Sequence, residues 1–145
     1  MPPTPFVHRH RVSYAECTLG NHVYHSRYLD LLEVARGEWL RSTGHAFLAW
    51  QDRGVVFPVI ECRLQYLRMA RYDDVLAIGV RLVLLQGARM NFAYDVRNQR
   101  GDPVLVGQTW HVCAGLDEKP RRLPPELREA LEPWLESSPP PAAGD

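Results

Sequence analysis

SYAECTLGNHVYHSRYLDLLEVARGEWLRSTG, residues 13–44, decides the fold. From Tyr24 onward the apolar residues Tyr24, Tyr28, Leu31, Leu32, Ala35 and Trp39 recur at helical spacing and make one continuous face. Arg27, Asp30, Glu33, Arg41 and Ser42 fill most of the other positions, and Gly44 stands where a helix would stop. The stretch reads as a strand end, a tight polar loop and one long amphipathic helix. No other helix is read before the C-terminal segment. A lone amphipathic helix needs a partner surface, and only strands can supply it.

On the N-terminal side, residues 1–5 are rich in proline and read as a loose lead-in, and Phe6 to Tyr14 reads as a first strand. On the C-terminal side, Ala46 to Gly54 is a short connection containing Trp50. From Val55 to Met69 β-branched and aromatic residues dominate, with Pro58 marking an edge or a bulge. Residues 75–85, VLAIGVRLVLL, are apolar on both faces, as in a central strand. Met90, Phe92, Tyr94 and Val96 alternate with polar neighbours, and NQRGD at 98–102 turns the chain into a returning strand over 104–114. Pro125 to Glu136 reads as a short helix bent or ended near Pro133. The expectation is a single α+β domain over 1–136, with about five antiparallel strands curved around a central helix that Ala35 and Gly37 let approach closely. This is a hotdog layout, followed by a disordered tail at 137–145.

Composition narrows the function classes. Lys+Arg and Asp+Glu both total 17 in 145 residues, so no global field favours nucleic acid or a membrane surface. No apolar run is long enough to span a bilayer, and the N-terminus has no signal-peptide core. Cys17, Cys62 and Cys113 are widely spaced, which suits free thiols in a cytoplasmic protein, Cys62 and Cys113 as strand packing residues. No metal-ligand spacing and no cofactor signature is read.

RVSYAECTLGNHVYHSRYL (11–29), LLEVARGEWLRSTG, RYDDVLAIGV (71–80) and KPRRLPPEL (119–127) resemble the 4-hydroxybenzoyl-CoA thioesterase family of hotdog acyl-CoA thioesterases. The resemblance is densest at Arg11, Val12, Cys17, Val23, Tyr24, His25 and Tyr28. It implies hydrolysis of acyl-CoA or acyl-carrier-protein thioesters at a pocket shared between subunits, in a homodimer or homotetramer. It also implies that Arg89, Arg121 and Arg122 meet CoA phosphates. Two departures stand out. Thr18 occupies the position of the family's usual loop carboxylate, and Asn21 and His22 replace a glycine and an aliphatic residue. A second resemblance, to hotdog thioesterases of enediyne pathways, covers a neutral residue at Thr18 with Tyr28 and Arg36 on the helix.

The chemistry of thioester cleavage narrows the candidate residues. An oxyanion needs donors, and the helix N-terminus near Tyr24 offers the backbone N–H of His25 or a neighbour. The alternative is a terminus capped by Asn21 or Thr18. Thr18 can orient a water but has no basicity, so the base falls to Glu16, His22, His25 or Glu33. Arg36 lies two turns beyond Tyr28 on the same stripe, and either pairs with a carboxylate or reaches a ligand. Cys17 reads as a small buried thiol rather than a nucleophile. The rival function is a non-catalytic acyl-thioester binder that lost its base with the Thr18 substitution.

Overall fold

The computed structural model describes residues 6–136. In chain order the strands are β1 (Phe6–Arg11), β2 (Cys17–Thr18), β3 (His22–Val23), β4 (Val55–Val56), β5 (Val59–Tyr66), β6 (Val75–Gln86), β7 (Arg89–Arg97), β8 (Pro103–Val112) and β9 (Ala114–Gly115). The helices are α1 (Arg27–Ser42), α2 (Phe47–Asp52) and α3 (Pro125–Leu131), with 3-10 turns at Tyr14–Glu16 and Glu132–Trp134. Five strands form one antiparallel sheet in the order β1-β6-β7-β8-β5, and β2/β3 and β4/β9 make two short ladders beside it. The sheet cradles α1, which is the hotdog arrangement.

The stripe on α1 explains the packing. Tyr28, Leu31, Leu32, Ala35, Trp39 and Leu40 are buried against Leu76, Ile78, Val80 and Leu82 of β6 and Met90, Phe92, Tyr94 and Val96 of β7, in one core cluster. Trp39 meets Phe92 edge-on at 5.1 Å between ring centroids. Each such large side chain contributes roughly 1.5–3 kcal/mol by leaving water. The helix ends as its sequence indicates: Thr43 Oγ1 donates to the Leu40 carbonyl, and Gly44 turns the chain with φ +87°.

Several sequence expectations are corrected. β1 ends at Arg11, because Ser13 and Glu16 close a capping box around the turn at 14–16. The helix starts at Arg27, so Tyr24 belongs to the preceding turn and is exposed. The connection at 46–54 contains α2, which buries Trp50. The strand read over 55–69 is split by Phe57–Pro58 into β4 and β5, and the β5–β8 register shifts between Val59 and Glu61. Cys62 is exposed on β5 rather than packed, while Cys113 is buried. Gly37 is not needed for close packing, since a Cβ there would meet only the Arg41 guanidinium at 4.0 Å. Gly107 in β8 is: a Cβ there would strike Leu64 Cδ2 at 2.7 Å and the Arg63 carbonyl at 2.9 Å.

The C-terminal helix breaks at 132–134, and Glu136 N–H returns to the Leu82 carbonyl. The expected lead-in at 1–5 and tail at 137–145 lie outside the described residues. No described helix is long and apolar enough to cross a membrane.

Candidate active site

The loop between β2 and β3 and the turn before α1 converge on the end of β5. Val23 N–H donates to the Ala70 carbonyl (2.8 Å), Tyr24 N–H to the Glu16 carbonyl (3.0 Å), and the Tyr66 hydroxyl to the His25 carbonyl (3.0 Å). Between them lies a cavity of about 410 Å³ lined by Thr18, His22, His25, Tyr28, Tyr66 and Met69 among others. Thr18, His25 and Tyr28, three of the residues expected from sequence, are thus brought together, with His22 beside them.

The amino end of α1 opens here. Ser26 stands at the cap with no side-chain hydrogen bond, so neither Asn21 nor Thr18 caps the helix. The N–H groups of His25 and Ser26 make no hydrogen bond to another described residue. Unpaired donors at the positive end of a helix dipole suit a developing negative charge. The Tyr28 hydroxyl accepts from Ala70 N–H at 3.4 Å. Burial, outweighing that bond, pushes the Tyr28 hydroxyl above its ordinary pKa, so it stays a neutral donor.

The other expected residues are held elsewhere. Burial of Glu16 would raise its pKa, but bonds from Ser13 N–H (2.7 Å) and to His10 Nε2 (2.8 Å) outweigh it and leave the carboxyl below the usual range. Those bonds spend Glu16 on the capping box and make it a poorer base. The Cys17 thiol is pushed up by burial and then by Glu16, as befits an unreactive cysteine.

Glu33 and Arg36 line a second cavity, of about 520 Å³, with Phe47 and Phe57. Glu33 lies six residues, roughly 9 Å along the axis, beyond the first residue of α1 at Arg27. Arg36 is buried, yet it meets no carboxylate among the described residues: Nη1 donates to the Tyr94 hydroxyl at 3.0 Å and Nε has no partner. The chain continues from Tyr94 to Thr109 Oγ1 (2.6 Å), to His111 Nε2 (2.8 Å), and from His111 Nδ1 to the Phe57 carbonyl (3.1 Å). Burial first, and then Arg36, lower the His111 pKa to about 4. The ring is therefore neutral, with Nδ1 donating to Phe57 and Nε2 accepting from Thr109. Sequence reasoning missed Tyr94, Thr109 and His111 as a polar group. Alternation along β7 and β8 places them inward, but nothing local pairs them.

Arg89, Arg121 and Arg122 gather around the β6–β7 turn: Arg121 N–H donates to the Cys113 carbonyl, Cys113 N–H to Ala88, and Leu123 N–H to Gly87. None of the three forms a salt bridge with a described carboxylate. They sit at the opposite end of the sheet from the Thr18 cavity, separated by the nine residues of β7, about 30 Å.

Comparison with known proteins gives a consistent result. A family model described as the thioesterase-like superfamily matches residues 12–131. The acyl-CoA thioester hydrolase YbgC of Escherichia coli O157:H7 is 30% identical over 81% of this chain and 88% of its own length. A 1,4-dihydroxy-2-naphthoyl-CoA hydrolase from Thermosynechococcus vestitus is 27% identical over 96% of this chain and 94% of its own length. A crystal structure of a hypothetical protein from Thermus thermophilus superposes with a TM-score of 0.84 at 34% identity, covering 88% of this chain and 98% of that one.

Proposed function

The chain belongs to the thioesterase-like superfamily, and from that premise we propose that it hydrolyses acyl thioesters of CoA or of a carrier protein in the cavity lined by Thr18, His25 and Tyr28. The observation that carries the reading is the amino end of α1 with no side-chain cap, where His25 lines the cavity and its N–H, like that of the adjoining Ser26, makes no hydrogen bond to a described residue. Seated there, the carbonyl oxygen accepts from these donors. Each donor aimed at the developing oxyanion lowers the barrier by roughly 3 kcal/mol.

Water held by the Thr18 hydroxyl attacks the carbonyl carbon. A histidine of the cavity, His22 or His25, takes its proton. When the C–S bond breaks, the sulfur leaves with the electron pair and receives that proton, giving a free thiol and a carboxylic acid. Tyr28, a neutral hydroxyl, donates to the carbonyl or to the departing sulfur. In one chain Glu33 and Arg36 are too far along α1 to reach the same carbonyl, which supports a site completed by a second copy. β5 has a free edge, with Val59, Ile60 and Tyr66 exposed along it, and pairing two such edges joins the sheets across a two-fold axis. In such a dimer the partner also brings its Arg89, Arg121 and Arg122 toward the CoA nucleotide.

Release of free thiol from a panel of acyl-CoAs of varied chain length tests the reading. Turnover with at least one is expected. Saturable binding of every acyl-CoA and acyl-carrier protein without thiol release would identify a non-catalytic binder, the alternative that Thr18 keeps open.

A further inference from the structure

A third cavity, of about 370 Å³, is lined by Arg68, Met69, Arg71, Asp74 and Arg100, and shares Arg68 and Met69 with the Thr18 cavity. Its charges do not cancel. Arg71 Nη1 donates to the Gly20 carbonyl at 2.8 Å and meets no described carboxylate. Arg68 and Arg100 share one carboxylate, Asp102, at 3.9 and 3.3 Å. Asp74 is engaged by Arg71 N–H at 2.9 Å and by Gln99 Nε2 at 3.0 Å. Three guanidinium groups, two from the β5–β6 connection and one from the β7–β8 turn, therefore converge with fewer counter-charges than they need, at the same end of the sheet as the Thr18 loop.

We propose that Arg68, Arg71 and Arg100 form a receptor for the phosphate of the pantetheine arm, the first phosphate met on leaving the thioester cavity. The proposal rests on the thioesterase reading, since it names the carrier group that the same site recognises. Arginine forks match phosphate oxygens, and charge-assisted bonds of this kind are the strong ones. Arg89, Arg121 and Arg122 cannot serve this phosphate from within the same chain, because they lie at the far end of the sheet. Arg71 also ties the site to the loop bearing Thr18, through Gly20, through its bridge to His22, and through Tyr72 N–H donating to the Asn21 carbonyl. Phosphate bound here steadies that loop.

The test compares one acyl group on pantetheine, on 4′-phosphopantetheine and on CoA, in the wild type, in the double variant Arg68→Gln/Arg100→Gln, and in Arg68→Lys/Arg100→Lys. The readouts are kcat/KM and calorimetric affinity for 4′-phosphopantetheine and pantetheine without the acyl group. In the wild type the phosphorylated thioester is expected to be preferred by about tenfold, a preference that fades with added salt. The glutamine pair should bring the ratio close to one, and the lysine pair should retain part of it.

Acyl-phosphopantetheine gaining as much as acyl-CoA marks the phosphate common to CoA and carrier proteins. A gain confined to CoA assigns recognition to the nucleotide and overturns the proposal. So does a wild-type ratio of one, or a ratio that survives the glutamine pair. If no thioester is cleaved, the hydrolase reading fails and the calorimetric ratio alone decides this site.

Discussion

Arg36, buried in the middle of α1, donates its 3.0 Å hydrogen bond to the phenol of Tyr94 and to no carboxylate among the described residues. A buried cation balanced only by a hydroxyl is costly, and replacing such groups by apolar ones is often neutral or stabilising. Removing the phenol instead leaves a charged donor unsatisfied. Tyr94→Phe should therefore destabilise the protein by about 1–3 kcal/mol in urea denaturation. Arg36→Met should cost clearly less. Equal losses for the two variants would mean that the guanidinium has another, stronger partner.

His111 makes stability depend on pH. Burial, then the Arg36 charge, depress its folded pKa to about 4, against an ordinary 6.5. Between these values the unfolded chain binds a proton that the folded chain refuses. The stabilisation is complete above about pH 6.5 and is lost as pH falls through about 4, to an extent of about 3 kcal/mol. Urea midpoints from pH 7.5 to 4.5 should fall for the wild type and fall less steeply for His111→Gln. Parallel curves would place the titration elsewhere.

Thr18 lines the cavity, at the position where the resemblance to the 4-hydroxybenzoyl-CoA thioesterases implies a carboxylate. A base placed there should speed water attack, so Thr18→Asp is expected to raise kcat on the order of tenfold to a hundredfold in a thiol-release assay. No gain with any thioester would show that the loop no longer aims this position at the reacting carbon.

The free edge of β5 predicts self-association. Sedimentation at micromolar concentration should give a dimer or a larger even assembly, and Ile60→Lys should weaken it by placing charge on the pairing edge. A monomer for the wild type would remove the basis for a site shared between subunits.

Much of this was legible in the sequence. Tyr28, Leu31, Leu32, Ala35 and Trp39 marked the buried face of α1, and Met90, Phe92, Tyr94 and Val96 marked the inner face of β7, because period alone fixes which way such side chains point. α2 was missed because six residues leave too short a period to recognise, and β4 because two residues leave none. The cluster around Thr18, His25 and Tyr28 could be anticipated, since all three lie within one short stretch. Arg36 could be flagged as an anomaly on an apolar stripe, but its partner is 58 positions away. The convergence of Arg68 and Arg71 with Arg100 depends on how the β5–β6 connection meets the β7–β8 turn at one sheet end, which no spacing encodes.

Gly107 sets a dimension of the cavity from a distance. With no side chain of its own, it lets Leu64 lie flat across β8, and any larger residue in that place would be struck by it. Sliding β5 along β8 would bring a bulkier neighbour under Leu64, so the outer strand is keyed at one tooth. Tyr66 and Met69, a few residues downstream, inherit that indexing. The gap between Tyr66 and Tyr28, ring centroids 5.6 Å apart, is in effect calibrated by a missing methyl.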